Sequence, residues 1–524
     1  MKRRFCRKKF RKLWKTRKFA CMINLTPICR PFFVARAKEL AHHADDLERS
    51  QTRVLRTLLH DARSTEMGRK YAFASIGSAN EYCSRVPQRP YEAIREDVMR
   101  MIRGESDVLW RGVCRRFAQS SGTSDGFSKY VPVTDDSLKR NHFRASASVV
   151  AQYLRLYPDS KVLGGRSFIL GGSFASTLSD VPPAVRIGDL SAQLIEKMPG
   201  ASAMLRIPAK KDVALMADWR EKLPALVQAS IAADVRTISG VPSWFLTVLR
   251  EVIKAAGAET IHDVWPNLEV FFHGGIAFGP YRAQYESITD TSKMRYLETY
   301  NASEGFFGVQ DLRAPGSMLL LPDAGVFYEF DPMDGREPLK SWEVEQGKVY
   351  ALIITAPNGL WRYPIGDTVR IESVAPLRIS IAGRTKLFIN AFGEEVMVHN
   401  TDAALSATCR ELACAADDYT AAPVYTTDGS KGRHQWLVEF SKSPADIAAF
   451  AAKLDENLRK QNSDYDAKRS GSIFLDPIEV IEVPGGTFNR WLASTGKLGG
   501  QRKVPRLSPD RRIVDPILEM LGGL

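Results

Sequence analysis

The longest apolar runs in this sequence are strand-sized. Residues 349–355 (Val-Tyr-Ala-Leu-Ile-Ile-Thr) are the strongest, and no run reaches the roughly 18 residues that a membrane-crossing helix needs. Such short segments bury themselves by pairing into a sheet and stacking under helices, so the arrangement of strands and helices along the chain decides the fold class.

That arrangement is mixed. Residues 31–60 are helical in pattern, with Leu40, Leu47, Val54, Leu55, Leu58 and Leu59 near helical spacing. Residues 81–103 read as helix with a proline-marked break, and 108–118 as a strand pair running into a Ser/Gly loop. Residues 167–172 and 268–272 are short strands, while 224–233 and 244–256 are helical. Strands punctuated by helices predict an α/β core. Residues 325–330, 348–355 and 368–372 are closely spaced strands, as in an antiparallel or barrel-like element. After residue 384 the texture changes to helices over 402–415 and 444–459 and strands over 435–440 and 477–483. A chain of 524 residues exceeds the roughly 250–300 at which one core stops growing. The expected organisation is a basic, disordered tail (1–25), a large αβ domain (26–384) and a small α+β domain (385–524).

The formal charge of +13 suggests nucleic acid, but residues 1–20 hold eleven Lys or Arg and no acid, and without them it falls to +2. The basicity belongs to the tail. With Phe5, Phe10, Leu13, Trp14 and Phe19 interleaved, the tail could lie on anionic lipid or RNA. Equally, it is a disordered extension, or an over-extended reading frame beginning in truth at Met22. Asn24, Thr26 and Pro27 interrupt any secretory core. Seven scattered cysteines without a C-x-x-C pair fit reduced thiols in a cytoplasm. A monomer is expected, with no specific nucleic-acid partner.

Three loops carry the chemistry. Ser120-Ser121-Gly122-Thr123-Ser124-Asp125-Gly126-Phe127-Ser128-Lys129 combines hydroxyls, glycines and a lysine. Glycines let backbone N–H groups approach a polyphosphate, hydroxyls add donors and the lysine neutralises charge. It is not a Walker A loop, because Phe127 and Ser128 separate the second glycine from the lysine. The second is Tyr300-Asn301-Ala302-Ser303-Glu304-Gly305, where an aromatic ring can stack on a purine and a carboxylate four residues on can bind Mg²⁺. A helix N-cap at Ser303 is the plain alternative. The third is Trp361 to Asp367, whose Gly366-Asp367 could hold ribose hydroxyls or simply turn the chain.

In order and spacing these loops resemble the adenylate-forming superfamily. Their wording is closer still to the auxin-responsive-promoter family of acyl-acid amido synthetases in its bacterial form, with Gln501-Arg502-Lys503-Val504-Pro505-Arg506 as a fourth phrase and weaker echoes at residues 65–68, 239–244, 265–268 and 273–275. The resemblance runs from about residue 50 to the C-terminus. It implies a large domain with a barrel-like element, and a small mobile C-terminal domain. It also implies ATP and Mg²⁺ as cofactors, and a ligase that makes an acyl-AMP from a carboxylic acid and passes the acyl group to an amine, such as an amino acid.

By the same resemblance Ser120, Ser121, Gly122, Thr123, Ser124, Gly126 and Lys129 would hold the ATP phosphates. Tyr300 would line the adenine, Ser303 would donate to the α-phosphate, Glu304 would bind Mg²⁺ and Asp367 the ribose. Gly383-Arg384-Thr385-Lys386 resembles the joint between domains, with Arg384 a ribose or phosphate contact. Lys503, or else Lys497 in Ser494-Thr495-Gly496-Lys497, would be the adenylation lysine, Lys503 being preferred. His273, Trp244, Tyr281, Arg144 and residues 141–153 are weaker pocket candidates, each equally readable as core or surface. His142 reads as a surface residue. Coenzyme A in place of the amine is one alternative, and an inert ATP site in a basic nucleic-acid or membrane-surface binding protein is another.

Overall fold

The computed structural model describes residues 24–120, 129–176, 178, 180–276, 278–384, 388–426, 431–472, 474–494 and 504–522. The tail calls at residues 1–23 lie outside them. At the front, two helices, Thr26–Asp45 and Leu47–Ala62, replace the single helical stretch read from the sequence. Thr65 and Ser78 then start short helices, their side chains accepting from Gly68 N and Glu81 N. The expected proline break falls between helices Ala79–Arg85 and Tyr91–Ile102.

β1 (Arg116–Ser120) pairs antiparallel with β2 (Lys129–Pro132). Only the end of the expected strand pair over 108–118 is strand. Asp107 and Gly112 both have positive φ, 59° and 73°, and Gly112 N donates to the Asp107 carboxylate, which turns the chain there. Next come β3 (Arg166–Ile169), β4 (Arg186–Gly188, parallel to β1), β5 (Arg206–Ile207), β6 (Val235–Gly240), β7 (Val270–His273) and β8 (Arg295–Ala302). Strands β5, β3, β6, β7 and β8 lie side by side and parallel, the α/β half of a 12-stranded sheet. Helix Pro242–Ala256 covers it. That helix opens on Pro242 and ends at Gly257, whose φ of 65° makes the left-handed cap.

The sheet continues antiparallel through β9 (Gly305–Val309), β10 (Met318–Leu320), β11 (Phe327–Asp331), β12 (Leu339–Lys340), β13 (Val349–Ala356), β14 (Leu360–Val374) and β15 (Leu377–Arg384), ordered β8-β9-β10-β15-β14-β13-β11-β12. The barrel-like element expected late in the large domain is this antiparallel half. Its curl is measurable. Tyr300 on β8 and Asp367 on β14 are four strands apart, about 19 Å in a flat sheet, yet their side chains are 2.7 Å apart.

Beyond residue 384 the chain builds its own cores. β16 (Phe388–Ile389) pairs with β17 (Val396–Met397), and β18 (Ala415–Tyr425), β19 (Gly432–Lys442) and β20 (Glu479–Val483) form a three-stranded sheet. Trp436, Phe450, Leu454 and Leu458 pack that sheet onto helix Ile447–Gln461. No helix among the described residues is long and apolar enough to cross a membrane.

Candidate functional site

The segment from Ser120 to Lys129, read from the sequence as a phosphate loop, joins β1 to β2. Ser120 and Lys129 are register partners at its two ends, so residues 121–128 leave and return at one point of the sheet. Ser121, Gly122, Thr123, Ser124 and Gly126 lie outside the described residues. Lys129 reaches back over the sheet. Its ammonium lies 5.9 Å from the Tyr91 ring centroid and donates to Tyr363 Oη at 3.5 Å. Tyr91 Oη in turn accepts from Tyr130 N at 2.8 Å, tying helix Tyr91–Ile102 to the loop's exit.

The second loop is a tight hairpin turn between β8 and β9, with Ser303 and Glu304 at its tip, so the helix N-cap alternative at Ser303 does not occur. The Glu304 side chain is buried, and Tyr363 Oη donates to its Oε1 at 3.4 Å. Asn358 Nδ2 holds the Glu304 carbonyl at 3.1 Å, which fixes the turn. Burial, then the Glu304 charge, push the Tyr363 hydroxyl well above its ordinary pKa, so it stays a proton donor.

The third segment, read as a loop between two strands, is the first half of the 15-residue strand β14. Period-two alternation then puts Tyr363, Ile365, Asp367, Val369 and Ile371 on one face, the apolar members of which join the same core. Asp367 is buried on that face and accepts from Tyr300 Oη at 2.7 Å, while the Tyr300 ring packs edge-on against Phe307 at 5.1 Å. Tyr300 is thus built into the core with its hydroxyl committed to a carboxylate. Arg384 is the register partner of Asp367 on β15. Lys497 and Lys503 lie outside the described residues.

Lys129, Tyr363 and Glu304 therefore meet from distant stretches of the chain, and so, separately, do Tyr300 and Asp367. In the sequence Tyr363 stands only as one letter of the Trp361 to Asp367 segment. The alternation of β14 is the available signal that it faces the same way as Asp367.

The weaker candidates divide. Arg144 ion-pairs with Asp323 and Glu39, and Asn141 is spent on the backbone of Phe306 and Ala324, so both are structural. Trp244 Nε1 donates to Phe392 O at 3.2 Å and Tyr281 Oη to Ala391 O at 2.5 Å, so both hold the 391–393 segment that begins the C-terminal part. His273 is buried, stacked on Phe278 with centroids 4.3 Å apart, and its Nδ1 has no partner among the described residues. Burial, chiefly, and the Arg282 charge push its pKa down to about 3. His142, expected at the surface, is buried too, with its pKa down to about 4 for the same first reason.

Comparison with known proteins gives the family. Residues 36–170 match the GH3 family N-terminal domain, 319–384 its central domain and 399–512 its C-terminal domain. The chain belongs to the GH3 family, and the resemblance carried by the loops is borne out. Indole-3-acetic acid-amido synthetase GH3.4 of Arabidopsis thaliana is 21% identical, the match covering 91% of this chain and 92% of that protein. Among solved structures, the GH3.15 acyl acid amido synthetase superposes with a TM-score of 0.59 at 17% identity, covering 94% of this chain and 96% of the other. A 2-hydroxyisobutyryl-CoA ligase does so with a TM-score of 0.51 at 13% identity, covering 94% and 92%. The fold is that of the adenylate-forming enzymes, a large αβ part followed by a smaller α+β one.

Proposed function

We propose that this protein is an ATP-dependent acyl-acid amido synthetase, a ligase that converts a carboxylic acid to its acyl-AMP and transfers the acyl group to the amine of an amino acid. The observation that carries this reading is the convergence of Lys129 and Glu304 on the hydroxyl of Tyr363, which shares strand β14 with the Asp367 that Tyr300 orients. Tyr363 links Lys129, at the exit of the Ser120–Lys129 hairpin, to the buried Glu304 carboxylate, and Tyr300 orients the buried Asp367 carboxylate.

In this assignment Ser120, Ser121, Gly122, Thr123, Ser124 and Gly126 surround the phosphates and Lys129 offsets their charge. Tyr300 aims Asp367 at the ribose, Arg384 meets the nucleotide from the neighbouring strand, and Ser303 donates to the α-phosphate. A buried carboxylate beside a phosphate site suits Mg²⁺, and Glu304 would be its ligand. When bound, Mg²⁺ would supply positive charge to offset that of the departing pyrophosphate. The acid's carboxylate attacks the α-phosphorus in line, and positioning plus charge neutralisation lower the barrier. The amine then attacks the mixed anhydride, which is already activated, so no protein nucleophile takes part. Residues 26–384 act as the adenylating body and 385–524 as the mobile part that brings Lys503, in preference to Lys497, to the α-phosphate.

The test incubates the protein with ATP, Mg²⁺, a panel of aryl, indole, fatty and jasmonate-like acids, and either amino acids or coenzyme A, and reads product mass. Amides support the reading, and thioesters replace its second half. Lack of acid-dependent ATP–pyrophosphate exchange with every acid overturns it.

A further inference from the structure

Lys468 lies on helix Ser463–Arg469 of the C-terminal part and is 4% exposed; its carbonyl accepts from Leu475 N at 3.2 Å, but its ammonium makes no hydrogen bond or ion pair with the described residues. Its ammonium sits 3.8 Å from the ring centroid of Trp244, on the helix that follows β6. Gly393 makes room for this contact, since a Cβ there would meet Lys468 Cε at 3.3 Å and Trp244 Nε1 at 3.5 Å, and its φ of 89° suits glycine. A cation–π contact offsets only part of the cost of removing an ammonium from water. A buried lysine that bridges the two parts of the chain without a hydrogen bond or ion pair therefore keeps its donors for a ligand.

The surroundings define which anion. Across the boundary, Asp189 follows β4 and accepts from Ser173 N at 2.6 Å; burial raises its pKa, and the Lys468 and Lys222 charges act against that. Lys222 is committed to the carbonyl oxygens of Gly171 and Gly172. Asp464, Glu394 and Glu395 also face Lys468 electrostatically, and Glu394 is held by His434 and the Ala391 and Phe392 N–H groups. With so many acids near, a plain anion is poorly matched, whereas a zwitterion fits opposed charges that are not paired with each other. The place is also right. Gly171 and Trp244 follow the C-terminal ends of β3 and β6, the edge of the parallel strands where ligands bind in such sheets. β6 is two strands, about 10 Å, from Tyr300 on β8.

We propose that Lys468 and Asp189 form the subsite for the charged head of a free amino-acid acceptor, Lys468 taking its carboxylate and Asp189 its ammonium. This rests on the amido-synthetase reading above. The experiment measures kcat/KM for an amino-acid acceptor and for the amine that the same amino acid becomes on losing its carboxylate. The measurement uses wild type, Lys468→Met (with Lys468→Gln should the first give no folded protein) and Asp189→Asn, which keeps an acceptor for Ser173 N. The ratio of the two values cancels the fraction of active enzyme. Wild type should prefer the amino acid by about tenfold or more, the worth of one charged contact, and Lys468→Met should bring the ratio to within about threefold of unity. Asp189→Asn should weaken both acceptors together and leave the ratio standing. An unchanged ratio in the Lys468 variants, or no preference in wild type, overturns the assignment while leaving the amido-synthetase reading intact. A wild type without acid-dependent pyrophosphate exchange overturns both.

Discussion

Tyr300→Phe removes one oxygen atom and leaves the ring on Phe307, so it isolates the 2.7 Å hydrogen bond to Asp367. A hydrogen bond to a charged group is worth about 1.5–3 kcal/mol, and each 1.4 kcal/mol is a factor of ten. Asp367 has further contacts, so the lower half of that range applies. If Asp367 is the ribose ligand, the loss falls on nucleotide binding, and KM for ATP should rise by about 10–30-fold. Tyr363→Phe is the matched control. Its bonds to Lys129 and Glu304, at 3.5 and 3.4 Å, are near the limit for a hydrogen bond, so its effect should stay below about threefold. The assay is acid-dependent ATP–pyrophosphate exchange at varied ATP, with urea midpoints to separate binding from stability. A Tyr300→Phe enzyme with wild-type KM for ATP, or a larger effect from Tyr363→Phe, would refute the reasoning.

Three further outcomes are expected. Arg362→Met leaves Glu329, 1% exposed and now gripped at 2.8–3.0 Å, without its cation, and urea denaturation should show a loss of about 3–5 kcal/mol; a loss below about 1 kcal/mol contradicts this. His273 is held neutral down to about pH 3, whereas an unfolded histidine titrates near 6.5, so the unfolded state binds more protons between those values and stability is lost as pH falls below 6.5. Lowering pH from 7.5 to 5.5 should cost about 1.4 kcal/mol from this group, a slope His273→Phe should remove and calorimetry can read. Lys503→Ala should abolish pyrophosphate exchange and Lys497→Ala should leave it; the reverse result moves the adenylation role to Lys497.

Much of this molecule is legible in sequence because its signals are local. The prolines at 87 and 90, the glycine at 257 and the apolar run at 349–355 each fix an element through neighbours in the chain. The four loop phrases point to the family because each is contiguous. What cannot be read is what lies across the fold. Residues 361–367 look like a loop because Gly and Asp favour turns, but strand pairing to β13 and β15 overrides that preference; in residues 300–305 only Ser303 and Glu304 turn, and the rest is strand. The Tyr300–Asp367 bond depends on the curl of the sheet, which no pair of segments specifies alone. Arg144 and His142 belong to residue types that favour the surface. His142 is buried by the packing around it, whereas Arg144 stays partly exposed and is drawn into ion pairs by Asp323 and Glu39.

The claim that the carboxylate is activated as an adenylate is tested most directly by an acid labelled with heavy oxygen in its carboxyl group, turned over with ATP, Mg²⁺ and an amino acid. Attack on the α-phosphorus, followed by amide formation, leaves one labelled oxygen in AMP and none in pyrophosphate. Label in inorganic phosphate with ADP as the other product would contradict the account, because it would place the attack on the γ-phosphorus.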